Sequence, residues 1–223
     1  PASPKFICNI GNAYELIAPN GASATLARSH NWGIIDRKVF DFELALNAAK
    51  SGAEVRNRCC ACGLNRENGG YRLFFEYNGN RMSVKAPLVI GADGVESRVG
   101  RWAGIRTSLS IGSAATCFQY NIHHRNIRSE RILLFVGSDI APGGYGWLFP
   151  KGNGYGNIGL GIPGSYAKNM SPKELLDRLV DRYFPGGSIL SSVCGAVPEA
   201  EYFREPVTDG VMLVGDAARQ ADP

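Results

Sequence analysis

The chain has 223 residues, 44% of them hydrophobic and 20% charged, the balance of a folded globular protein. That length allows one large domain or two small ones. There is no run of about 18 apolar residues to argue for a spanning helix and no signal-peptide pattern. A scattered net charge of +4 gives no basis for nucleic-acid binding.

Six cysteines (Cys8, Cys59, Cys60, Cys62, Cys117 and Cys194) in a chain this long do not read as a disulfide framework, and a reducing cytoplasm is the expected setting. Cys59, Cys60 and Cys62 lack a second ligand pair at zinc spacing, so no metal site is expected.

In chain order, Phe6–Ile10, Tyr14–Ala18, Ala24–Arg28 and Trp32–Ile35 read as short strands parted by Gly, Asn and Pro turns. Asp36 suits a helix N-cap. Val39, Phe42, Leu46 and Ala49 then recur at three and four, predicting one buried stripe that Ser51-Gly52 ends. Ala53–Arg58 reads as a further strand, giving a β-α-β passage. Tyr71–Tyr77 alternates, and Asn78-Gly79 predicts a hairpin turn into Arg81–Lys85.

Leu88, Val89 and Ile90 form a buried-strand pattern ahead of Gly91, followed by Ala92-Asp93-Gly94 and a helix over Glu96–Ala103 that Gly104 stops. A strand, a Gly-rich turn and a helix start present free N–H groups to phosphate, with Asp93 to orient the turn or accept a ribose hydroxyl. The same pattern also suits an ordinary β-turn-α connection. After Gly104, the stretches 113–122, 131–136, 144–149 and 156–162 suggest an antiparallel sheet. Ser171-Pro172-Lys173-Glu174 opens a helix with its apolar stripe at Leu175, Leu176, Leu179, Val180 and Tyr183. Val211–Val214 returns to a parallel sheet, with Asp216 at its C-terminal mouth.

Two GxGxxG matches, Gly154 to Gly159 and Gly159 to Gly164, lie outside a strand-to-helix junction and are read as decoys. Alternation puts Tyr145, Trp147 and Phe149 on one strand face, as an aromatic wall or as core. A wall of this kind would suit a long apolar chain. His30, His123 and His124 sit in unrelated contexts, and His123-His124 reads as a solvated strand end. No side-chain acid or base is assigned.

The stretch GADGVESRVGRWAG resembles the "DG" motif of FAD-dependent hydroxylases and reductases, and GRWAG the geranylgeranyl reductase branch. VMLVGDAARQADP, from Val211 to Pro223, resembles their "GD" motif, and Asp93 and Asp216 lie 123 positions apart (216 − 93), about as in the family. Tyr145, Trp147, Phe149 and Pro150, then Asn157, Gly159 and Gly161, resemble the signature of the isoprenoid reductases.

The resemblance implies an α/β fold with an α+β insert: an incomplete FAD/NAD(P)-binding Rossmann-like domain with an inserted antiparallel-sheet substrate domain. The implied limits are 1–106 for part of the FAD-binding domain, 107–205 for the substrate domain and 206–223 for the return. It further implies an internal stretch of a longer reductase, inactive by itself, because the family's opening GxGxxG unit and its flavin-facing C-terminal segment are not in this sequence.

Arg37, the backbone at Ala61, Asp93, Gly94 and Asp216 would contact FAD. Read from the residues alone, Arg37 also suits a salt bridge at a helix start. Tyr145, Trp147 and Phe149 would line the substrate. The implied activity is saturation of double bonds in prenyl lipid or pigment precursors, preferably an archaeal-type membrane-lipid precursor, with NAD(P)H or ferredoxin as candidate electron donors. The expected partner is a prenylated lipid, in the cytoplasm with room for peripheral membrane contact. A flavin monooxygenase or halogenase, or a lipid carrier that lost its flavin, are the rival readings.

Overall fold

A computed structural model describes residues 4–199 and 205–220; the last three residues of the "GD" stretch, 221–223, lie outside it. The chain divides into two compact units, 1–53 with 115–196 and 54–114 with 197–223. The limits expected from motif order, 1–106, 107–205 and 206–223, cut elsewhere. Strands before residue 36 join the sheet of the later segment rather than the unit that carries Asp93.

In the first unit, β1 (Ile7–Ile17) and β2 (Ser23–Ile35) form a long antiparallel hairpin. The four short strands expected here are thus two, interrupted by register shifts between Ile7 and Asn9 and between Gly11 and Ala13. Helix α1 (Arg37–Lys50) follows, with Asp36 capping it by accepting from the Lys38 and Val39 amides at 2.9 and 3.4 Å. Its expected buried stripe is a correction: no α1 residue is buried, and Phe42 is 64% exposed. Phe40 does meet Phe6 edge-on, at 5.0 Å between ring centroids.

The second unit opens with a three-stranded sheet, β3 (Cys59–Glu67), β4 (Gly70–Tyr77) and β5 (Asn80–Ala86), the last two joined by the expected Asn78-Gly79 hairpin. Ala53–Arg58 is not a strand, because residues 53–58 join no strand ladder and are exposed. The β-α-β passage therefore does not form. Strand β6 (Val89–Gly91) leads to α2 (Arg98–Trp102).

Back in the first unit, β7 (Ala114–His123), β8 (Arg131–Val136), β9 (Tyr145–Gly152) and β10 (Tyr155–Pro163) are the expected strands. A four-residue helix, α3 (Gly164–Ala167), and the amphipathic α4 (Pro172–Tyr183) come next, then β11 (Ser188–Pro198). The sheet order is β11-β7-β10-β9-β8-β1-β2, with β1 and β8 parallel. Ser171 caps α4 through the Glu174 amide, and Leu175, Leu176, Leu179 and Val180 are buried against Leu148, Ile158, Leu160 and Phe135. Burying each such side chain is worth roughly 1.5–3 kcal/mol, which makes this face the unit's main stabilising element.

The chain closes in the second unit with β12 (Val207–Thr208) and β13 (Val211–Leu213), the latter parallel to β6. No helix among the described residues is long and apolar enough to cross a membrane.

Candidate functional site

Two parallel strands end side by side in the second unit. Val211, Met212 and Leu213 of β13 pair with Val89, Ile90 and Gly91 of β6, and the Val214 amide donates to the Gly91 carbonyl at 3.0 Å. Asp93 follows two residues after β6 and Asp216 three residues after β13. The strand mouths thus bring the two acidic motifs to one sheet edge, where open α/β sheets bind ligands.

The two carboxylates differ in what they do. Asp93 Oδ2 accepts from the Val99 amide at 2.8 Å and Oδ1 from the Ser97 hydroxyl at 3.1 Å. It therefore holds the start of α2, as a satisfied structural acceptor. Asp216 is half-buried, and its carboxylate has no hydrogen bond or ion pair among the described residues. Gly94 and Gly215 have φ of +82° and +62° with open space where a side chain would project. A free acceptor between two such turns fits the ribose and phosphate part of a dinucleotide such as FAD. Ala61 pairs with Phe75 on β3, an edge strand, beside a register shift that leaves Cys62 as the extra residue.

In the first unit, Tyr145, Trp147 and Phe149 share the face of β9 opposite the α4 core, whereas their neighbours Gly146, Leu148 and Pro150 are buried. The rings are therefore not core. Centroids of Tyr145 and Trp147 lie 5.9 Å apart, and those of Trp147 and Phe149 6.2 Å apart in a stacked arrangement. Across the ladder, Phe149 faces Asn157 and then Asn121, Trp147 faces Gly159 and then Gln119, and Tyr145 faces Gly161 and then Cys117. A Cβ on Gly159 would stand 2.6 Å from the Trp147 ring. The glycine thus lets the indole lie across β10, where its Nε1 donates to Gln119 Oε1 at 3.2 Å. This is a physical reason for glycine two residues after Asn157 in the signature.

A cavity of about 720 Å³ lies within this unit, in the size range of small-molecule sites. Arg37, Lys38 and Lys151 line it with the amides of Gln119, Asn121 and Asn157, and none of the three rings does. Burial pushes the Cys8 thiol on its wall up, against the opposing pull of the Lys151 ammonium. Arg37 is 76% exposed and 3.8 Å from Asp41, an exposed pair that contributes little to stability.

Of the remaining expectations, His123 and His124 are half-buried and packed on Tyr155 and Phe184 rather than solvated. The first GxGxxG match lies in the β9–β10 hairpin, whereas the second runs off β10 into the short α3. Sequence reasoning missed Ser97. It is 1% exposed, caps α2 through the Gly100 amide, donates to Asp93 and receives the Thr107 hydroxyl on its carbonyl. Its place three residues before Gly100 was the available signal. Gln119, Asn121 and Lys151 were also missed. Their signal was alternation on strands already recognised.

One unit ends two parallel strands in acidic turns at a single sheet edge, and the other is built on a seven-stranded mixed sheet, an α/β architecture. The chain is similar over its whole length to a geranylgeranyl bacteriochlorophyll reductase-like protein from Thermoplasma acidophilum, with a TM-score of 0.92, 32% identity and 58% of that chain covered. A halogenase in complex with phloroglucinol and FAD shares the fold alone, with a TM-score of 0.72, 17% identity, and 97% of this chain and 49% of that one covered.

Residues 113–197 match the family model of the geranylgeranyl reductase catalytic domain. The chain is 41% identical over 225 residues to a digeranylgeranylglycerophospholipid reductase of Methanothrix thermoacetophila, covering 99% of this chain and 58% of that protein. Against the reductase of the same name from Methanosarcina acetivorans the identity is 43%, over 98% of this chain and 55% of that protein. The chain thus spans little more than half the length of these relatives.

Proposed function

We propose that the protein carrying this chain is an FAD-dependent reductase that saturates double bonds of geranylgeranyl chains in an archaeal-type membrane-lipid precursor. The observation that supports this best is the aromatic face of β9. Three large rings turned away from the core offer apolar area with little polar surface to desolvate, which suits a long prenyl chain.

Bound and reduced, FAD would supply the hydride that an alkene carbon requires. This chain's residues would do the rest of the work. The Asp216 carboxylate, with no hydrogen bond among the described residues, would accept ribose hydroxyls, Gly94 and Gly215 would leave room for backbone approach, and Arg37 and the edge backbone at Ala61 would contact the cofactor. Asp93 would act indirectly, by fixing α2. Trp147 and its neighbours would position the chain and exclude water. Electrons would come from NAD(P)H or ferredoxin, and a lipid substrate favours a cytoplasmic enzyme with peripheral membrane contact.

The test uses the full-length protein. Yellow, flavin-bearing protein is reduced and incubated with digeranylgeranylglyceryl phosphate, and mass spectrometry counts the hydrogens added. A gain of two mass units per saturated bond supports the reading. Flavin oxidation with no change in the lipid overturns it in favour of monooxygenase-type chemistry, and a colourless protein that binds the lipid would mark a flavin-less carrier.

A further inference from the structure

Two residues beyond Phe149 the strand reaches Lys151, the extra residue at a register shift between β9 and β10, and there its chemistry changes. From Tyr145 to Lys151 is about 20 Å of strand, at roughly 3.3 Å per residue. Lys151 is half-buried, lines the cavity, and its ammonium has no hydrogen bond or ion pair among the described residues. Arg37 and Lys38 stand on the same cavity. Its acidic liner, Asp36, already accepts from the Lys38 and Val39 amides.

The floor beside Lys151 is an amide ladder. Asn157 pairs in register with Phe149 on one side and with Asn121 on the other. Its Oδ1 is buried without a hydrogen-bond partner, which in a protein interior calls for a donor from outside the fold. Asn121 Nδ2 donates to Ser191 Oγ at 2.6 Å, and Gln119 is held by Trp147. The strand therefore runs from aromatic rings to flanking amides and a cation with no ion pair among the described residues, the polarity sequence of an amphiphile with an anionic end.

We propose that Lys151, with Asn157 and Asn121 beside it, seats the phosphate end of the prenyl lipid, and that the chain runs from there along Phe149, Trp147 and Tyr145. The proposal rests on the prenyl-lipid reading above and assigns the direction in which the substrate lies. A hydroxyl of the glycerol unit supplies the donor that Asn157 Oδ1 lacks, and the ammonium meets the phosphate oxygens. Charge-assisted contacts of this kind are the strong ones in a partly desolvated site.

The experiment measures binding to the full-length, FAD-loaded protein by tryptophan quenching, with geranylgeranyl phosphate, geranylgeraniol and inorganic phosphate as separate probes. The phosphorylated chain is expected to bind at least tenfold tighter than the alcohol. Lys151→Met is expected to abolish most of that preference, and Lys151→Arg to retain it. Asn157→Asp, which places a negative charge on the floor, is expected to reverse it, and serves if Lys151→Met does not fold.

A preference that survives Lys151→Met, or an equal loss for both lipids, overturns the proposal. So does inorganic phosphate binding as tightly as the lipid phosphate, since the site would then take a free anion. Reduction assays on the same samples separate the two readings. Failure to reduce either lipid while the Lys151-dependent preference persists tells against the reductase activity alone.

Discussion

Trp147 lies across Gly159, with the indole ring 2.6 Å from where a glycine-159 side chain would begin and its Nε1 3.2 Å from Gln119 Oε1. One strand's missing side chain thereby sets the pose of its neighbour's ring. A Gly159→Ala substitution must displace either that ring or the Phe118 carbonyl, 2.9 Å from the same point. Overpacking of this kind costs about 1–3 kcal/mol. Thermal unfolding should show a lower midpoint, and the Trp147 emission should shift as the hydrogen bond to Gln119 breaks.

Removing the ring itself should act differently. Trp147 stands outside the α4 core, so Trp147→Ala should weaken use of prenyl substrates while flavin stays bound. Loss of flavin and of solubility together would show the indole to be structural, since truncating a buried Trp costs about 3–5 kcal/mol. Flavin absorbance after gel filtration, measured beside substrate KM, separates these outcomes.

The two aspartates at the strand mouths should also part company. Asp93→Ala removes the acceptor for the Val99 amide and the Ser97 hydroxyl, and should cost about 1–2 kcal/mol of stability. Asp216→Ala breaks no hydrogen bond of its carboxylate within the described residues, so the unfolding midpoint should hold. Its effect should fall on FAD affinity, weakened about 10- to 100-fold if the carboxylate accepts ribose hydroxyls. Equilibrium flavin titration and denaturant unfolding on both variants give the comparison.

Glu15 and Arg131 tie β1 to β8, with Oε2 accepting from Nη1 at 2.8 Å. The hydrogen bond from Arg131 holds the Glu15 carboxyl below the usual carboxylate range, against the opposing effect of burial. A depressed folded-state value means that the contribution is fully present above the unfolded value of about 4.3 and is lost as pH falls through the folded one. Arg131 is 37% exposed, so screening keeps the loss near 1 kcal/mol, that is about the upper end for exposed pairs. Urea unfolding between about pH 3 and 6 should show stability declining on the acid side in the natural sequence. Glu15→Gln should flatten that decline.

Local chemistry was legible in the sequence wherever it decided the outcome alone. The Asp36 and Ser171 caps, the Asn78-Gly79 hairpin and the α4 stripe all follow from residue types at fixed spacing. Long-range partners were not. The α1 periodicity reports an apolar face but not what covers it, and Phe42 is largely exposed among the described residues. Strand β11 escaped notice because Ser, Cys and Gly dilute its alternation at a sheet edge. Motif spacing did bring Asp93 and Asp216 to neighbouring strand ends. Their unequal hydrogen bonding was invisible, because it depends on how Ser97 and Val99 turn back toward Asp93.

The parallel pairing of β1 with β8 matches Ala13 to Arg131 and Ile17 to Phe135, partners 118 residues apart in the chain (131 − 13). During synthesis at about 5–20 residues per second, β1 must therefore wait roughly 6–24 s before its neighbour is made. In that interval β2 is its one neighbour in this sheet among the described strands, and a two-stranded ribbon is marginal in water. Its free edge carries Leu16 and Ile17, ready to pair with any passing extended segment. Biosynthesis of this protein is thus exposed to a window of mispairing, in which a holdase chaperone acting on the β1–β2 hairpin would raise the yield without altering the finished molecule.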